Sequence, residues 1–198
     1  MPRSKEQYKQ IREEKRELIL DTALELFAEK GFHTTSIEQI AKKAGISKGL
    51  TYNYFESKNA ILEAILKKGF DAIYAHFDTD NDGVLTYNEF EFFIRKSFAV
   101  MTENRNFWKL YFSLMMQPVV TETYINSYAG TQVKLSKMII GFLTGQGSTD
   151  PMKDILIVSS LLKGAYLILV TSPGFFDEEK FVDTILEGFQ RIINHKNN

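Results

Sequence analysis

The stretch that most constrains this 198-residue chain is Ser36 to Tyr54, SIEQIAKKAGISKGLTYNY. Ser36 with Gln39 three residues on is a capping box, a pair that satisfies orphan backbone donors and starts a helix. Ile37, Ile40 and Ala41 give that helix an apolar face at helical spacing. Gly45 stands where a sharp interhelical turn needs a residue free to take positive φ. Ile46 then fills the angle between two helices, and Ser47 caps a second one, Lys48 to Phe55. The second helix offers few core residues and is rich in Lys, Thr, Tyr and Asn. A short capped helix with a polar outer face, held out by a tight turn, is the pattern of a helix-turn-helix. The plain alternative is a helical hairpin inside a bundle.

Chemistry assigns roles along the second helix. Lys48 is a mobile cation suited to phosphate, and Gly49 permits close approach to a duplex. Thr51 and Asn53 can hydrogen-bond base edges, Asn favouring adenine when bidentate. Tyr54 reads groove or backbone, and Phe55 is core. The region Leu20 to Leu62 resembles the DNA-binding domain of the tetracycline-repressor (TetR) family. ALELFAEKGF at 23–32 and TTSIEQIAKKAGISKGLTYNYFESKNAIL at 34–62 carry the resemblance. It implies that Tyr52 and Lys58 contact backbone phosphate. Thr51 departs from the family, which more often has an aliphatic residue there, so an inward orientation of Thr51 stays open.

Composition suits such a protein. At 44% hydrophobic residues the chain can bury a core. It has no cysteine, so disulfides and thiolate metal sites are excluded and a reducing cytoplasm is compatible. The first sixteen residues are charged throughout, unlike a secretory signal. Ile155 to Val170, the most apolar run, carries Lys163 and is expected to be a buried helix too short to span a bilayer, so no membrane association is expected. Residues 1–58 hold 11 Lys/Arg against 9 Asp/Glu, and residues 59–198 hold 13 against 16. So slight a basic excess excludes a general nucleic-acid coat. Attraction must come from placed cations, Lys48 and Lys58 with Arg3, Lys5 and Lys9 of an N-terminal arm.

Ser4 with Gln7 is a further capping box, so a long first helix is expected from Lys5 to Lys30, ended by Gly31. Its first half alternates basic and acidic residues, either as a solvated extension or as an arm on phosphate. Its second half packs Ala23, Leu26 and Phe27 on the helix-turn-helix. Ser57 caps a fourth helix whose apolar residues recur from Ile61 to Phe77.

Residues 78–89, DTDNDGVLTYNE, match the twelve-residue calcium loop D-x-[DN]-x-[DN]-G-x5-E and so resemble an EF-hand. Asp78, Asp80 and Asp82 stand at positions 1, 3 and 5, and Gly83 supplies the bend. Val84 would offer its carbonyl, Thr86 would coordinate directly or through water, and Glu89 would be bidentate. A seven-coordinate calcium ion suits this oxygen-rich set better than magnesium. The alternative is a polar helix-helix turn, and no second such loop is found in the chain. A bound ion would tie the fourth helix to the fifth.

Further helices are expected at Tyr87–Met101, Asn104–Met116 (closed by Pro118), then to about Leu143, Pro151–Val170 and Asp177–Asn194. Phe92, Trp108, Tyr111, Phe112, Met115, Tyr124 and Tyr128 could line a hydrophobic effector pocket, though such a stripe also reads as core. The resemblance implies a homodimer through the last two helices. The expectation is therefore an all-α protein, a helix-turn-helix domain at 1–58 followed by an effector-sensing and dimerisation domain at 59–198. It would be a cytoplasmic regulator, a repressor of a pseudo-palindromic operator released by a small molecule and modulated by calcium. The rival is a calcium sensor or buffer built on a helical bundle. No nucleophile, acid/base pair or phosphate loop points to an enzyme, and no other cofactor is expected.

Overall fold

In the computed structural model, which describes residues 5–194, the caps act as the sequence requires. Gln39 N–H donates to Ser36 Oγ at 3.2 Å while Ser36 N–H donates to the Gln39 side chain at 2.7 Å, opening helix α2 (Ile37–Lys43). Ser47 accepts from Leu50 N–H and opens α3 (Lys48–Tyr52). Between them Gly45 takes φ of 66°, the left-handed conformation that lets the chain turn this sharply. α3 stops at Tyr52, short of the expected Phe55, because Asn53, Tyr54 and Phe55 fold their amides back onto Leu50 and Thr51. Arg3 and the Ser4 half of the first capping box lie outside the described residues.

α1 (Lys5–Lys30) precedes these two, and α4 (Lys58–Tyr74), α5 (Tyr87–Glu103), α6 (Arg105–Met115), α7 (Pro118–Gly145), α8 (Pro151–Thr171) and α9 (Glu178–Asn194) follow. No strand occurs among the described residues. The fold is all-α, a helix-turn-helix domain followed by a helical C-terminal part. α4 ends one turn before Phe77, whose buried ring instead packs against Phe93. Pro118 opens α7 rather than closing α6, since the first helical position does not need its missing N–H.

Packing divides the chain into two compact units, and the division does not fall at residue 58. The first runs through Gly69 and takes in Leu110–Asn126. Its core is Ile19, Leu20, Ala23, Leu24, Leu26 and Phe27 of α1 with Ile40, Phe55, Ile61, Leu62, Ile65 and Leu66, all buried. Gln117 ties the later segment in: its amide N–H donates to Phe27 O at 2.7 Å and its oxygen accepts from Phe32 N–H at 2.8 Å. The Tyr111 hydroxyl donates to Leu66 O.

The second unit comprises Phe70–Lys109 and Ser127–Asn198. In it α5 packs on α8 and α9, and α8 on α9. Buried Tyr166 donates to buried Ser97, and burial raises its phenol above the usual range. α8 is not the buried helix its composition suggests. Val158, Ala165, Tyr166, Leu169 and Val170 face inward, but Met152, Leu156, Ile157, Leu167 and Ile168 are exposed. At 21 residues it is, by length and composition alone, also long and apolar enough to cross a membrane.

Candidate nucleic-acid interface and acidic loop

Among the residues expected to meet a duplex there are two exceptions that are engaged within the domain instead, one on α3 and one at the start of α4. Lys48, Gly49, Tyr52 and Asn53 are exposed, and nothing lies within 4 Å of where a Gly49 side chain would begin. Lys48 meets Glu38 at 3.6 Å, both side chains exposed, a pair weak enough to yield to phosphate. Tyr54 is half-buried beneath Arg12, whose guanidinium carbon lies 5.9 Å from the ring centre.

The first exception is Thr51. It is 0% exposed and its hydroxyl faces Ser47 O at 3.3 Å, so it packs α3 onto the domain and cannot reach a base edge. The second is Lys58. Its ammonium donates to Phe32 O at 2.7 Å, Thr35 O at 2.8 Å and His33 O at 3.2 Å, and sits 4.4 Å from the Phe32 ring centre. Three donors meet three carbonyls, leaving none for phosphate. Lys58 therefore fastens the turn after α1 to the start of α4, with a pKa that burial lowers. Sequence reading missed this because the carbonyls of 32–35 carry no side-chain signature. It also missed Gln117, more than eighty residues away in sequence.

In the second unit, the carboxylates of Asp78, Asp80 and Asp82 each place an oxygen within 4.8 Å of the others. Asn81 with φ of 61° and Gly83 with φ of 80° curl the loop, and the Asp80 and Asp82 side chains accept from Asp82 N–H and Val84 N–H. Asp78 is different: its side chain is only 12% exposed, and neither oxygen has a hydrogen-bond partner. Lys134 lies 3.9 Å away. Glu89 does not join the cluster. Its oxygens accept from the amide and hydroxyl of Thr79 and of Thr86, closing the loop and completing a capping box for α5. Those bonds, the Thr86 amide first, hold its carboxyl at about 2. Thr86 is thus occupied as an N-cap, while Val84 is exposed.

The seven aromatic and Met residues expected at an effector pocket divide between the units: Tyr111, Phe112, Met115 and Tyr124 belong to the first, Phe92, Trp108 and Tyr128 to the second. Trp108 is buried with its indole donating to Val100 O, and Tyr128 stacks on Phe70. An open cleft of about 210 Å³ in the second unit is lined instead by Phe98, Ala99, Thr102, Leu169 and Val182 together with Arg95, Glu178 and Glu179.

Residues 19–65 match the family described as bacterial regulatory proteins, tetR family. The chain is 40% identical over 94 residues to the HTH-type transcriptional regulator YuxN of Bacillus subtilis, covering 46% of this chain and 30% of that protein. It is 48% identical over 59 residues to the HTH-type transcriptional regulator HbdR of Aromatoleum, covering 30% and 26%. It thus spans less than a third of either relative. A TetR-like transcriptional regulator from Rhodococcus has the same fold, with a TM-score of 0.68 at 19% identity over 89% of this chain and 94% of that one. All of these relatives are described as transcriptional regulators. Residues 19–65, which hold the helix-turn-helix, are thus similar to tetR-family regulatory proteins.

Proposed function

We propose that this chain, tetR-type across residues 19–65, is a cytoplasmic DNA-binding transcriptional regulator that acts as a dimer and represses until a small molecule releases it. The observation that carries the reading is α3: a capped helix that turns Lys48, Gly49, Tyr52 and Asn53 outward while Thr51 anchors it inward. Lys48 and Tyr52 serve phosphate, and Asn53 a base edge. Two copies would set two such helices at least one DNA turn apart, about 34–36 Å, on a pseudo-palindromic site. We place the DNA-binding function in residues 1–58 and effector sensing in 59–198. Selection of duplexes from a random-sequence library by the full chain tests this. An inverted repeat should emerge, and Asn53→Ala should relax one position in each half. Recovery of no preferred sequence overturns the proposal.

A second reading, calcium binding at 78–89, is favoured by Asp78. A carboxylate removed from water with no donor is costly, and a hard cation held with Asp80 and Asp82 would neutralise it. Glu89 and Thr86 would complete the set only by giving up their mutual bonds. Calorimetric titration of chelator-treated protein should show about one calcium ion per chain, persisting in excess magnesium. Asp78→Asn should abolish the heat and raise the ion-free melting temperature. Repeating the operator titration with and without calcium reads any modulation. Absence of heat reduces the loop to a polar turn.

A further inference from the structure

The first half of α1 is not a random mixture of charges. At about 100° per residue, Lys5, Lys9, Arg12 and Arg16 fall within an arc of roughly 60°. Glu6, Glu13, Glu14 and Glu17 occupy a separate arc of roughly 100° beside it. Three of these acidic residues are engaged within the fold: Glu17 pairs with Lys68, Glu14 accepts from Gln10, and Glu13 pairs with Arg16.

The basic arc continues the line of Ile19, Ala23 and Phe27, the face by which the second half of α1 enters the core. Above residue 19 that face is apolar and covered; below it the same face is cationic. Where it passes the helix-turn-helix, Arg16 lies over the Phe55 ring at 5.4 Å and Arg12 over Tyr54 at 5.9 Å. Beyond Arg12, Lys9 and Lys5 are exposed. An inward-facing stripe of cations that runs past its own domain calls for an anionic surface continuing that of the domain.

We propose that Lys5, Lys9 and Arg12 form a second DNA-contacting surface, binding backbone phosphates that flank the segment read by α3. The stripe from Lys5 to Arg16 extends about 16 Å at 1.5 Å per residue, the axial rise of about five base pairs. Arg16, held by Phe55, Glu13 and Glu17, anchors its inner end. Tyr54 is the joint: its ring lies under the Arg12 guanidinium and holds it at the edge of the recognition region, a positioning role in place of base reading. The contacts are to phosphate and so add affinity without sequence preference.

This inference rests on the DNA-binding reading, and the test separates the two. The duplex recovered by selection is prepared with its central repeat alone and with about eight base pairs added at each end. The full chain should bind the longer duplex more tightly, and Lys5→Gln/Lys9→Gln/Arg12→Gln should remove that preference. The triple variant should also make the slope of log K against log salt shallower by two to three units per half-site, since each phosphate contact adds about 0.9. Its melting temperature should match the parent's. Equal binding of both duplexes, or an unchanged slope in the triple variant, overturns the flanking surface while leaving the recognition helix standing. Failure of the parent to bind any duplex overturns both.

Discussion

Lys48 and Lys58 sit at the starts of consecutive helices, yet one is free to meet phosphate and the other is spent on carbonyls. Lys48→Ala should therefore weaken binding across sequences and lower the salt slope by about one unit, with no loss of stability. Lys58→Met, which keeps the stem over Phe32, should cost about 1–2 kcal/mol in denaturant unfolding and leave the salt slope alone. A Lys58 variant that changed the slope would restore it to the phosphate contacts. Thr51→Val should keep both operator sequence and affinity, because the side chain is sealed inside. Glu89 makes a pH prediction whose sign follows from its depressed pKa. Its bonds to Thr79 and Thr86 contribute fully above its ordinary value of 4.5 and are lost as the pH falls toward about 2. The melting difference between the parent and Glu89→Gln should accordingly shrink over that window, and an NMR midpoint near 4.5 would refute the capping arrangement. The identities of the outward residues could be read from the sequence; which way Thr51 and Lys58 turned could not. Orientation depended on backbone carbonyls that no side-chain pattern announces.

At the scale of elements, caps and helical periodicity placed α2, α3, α5, α8 and α9 to within a turn, because each is set by local chemistry. What periodicity could not show is which helix packs with which. The first three turns of α4 belong to the unit that contains α1, joined there by Leu110–Asn126. Gly69 marks the closest approach. A side chain starting there would come within 2.3 Å of the Tyr111 ring, whose hydroxyl is bonded to Leu66 O. Gly69→Ala should thus displace that ring and cost about 1–3 kcal/mol, despite the higher helix propensity of Ala. In a Tyr111→Ala background the same change should cost nothing or stabilise. Additive losses would mean that Gly69 matters for a reason other than room for the ring. In the sequence Gly69 is merely a glycine inside a helical pattern, and Tyr111 one aromatic among many. Only their juxtaposition gives either a purpose.

At the scale of the whole molecule, the apolar content of α8 was plain in the sequence but its destination was not. A helix apolar all round must be covered on more than one side, and the described chain covers only one. Met152 and Leu156 are 62% and 67% exposed, with Ile157, Leu167 and Ile168 beside them along the helix. A second copy of this face is the cover proposed here, and charge at its centre tests it. Leu156→Glu removes an exposed side chain, so it should leave the melting of an isolated chain almost unchanged. In a symmetric dimer it would bury two carboxylates and lose two leucine contacts. At roughly 1.5–3 kcal/mol for each lost leucine, dimer dissociation should rise a hundredfold or more. Sedimentation at micromolar concentration should then find monomer, and binding to a two-half-site duplex should fall while binding to a single half-site persists. A variant that sediments as the parent does would move the interface elsewhere. Parent protein that partitions with lipid vesicles instead of forming dimers would assign the face to a bilayer.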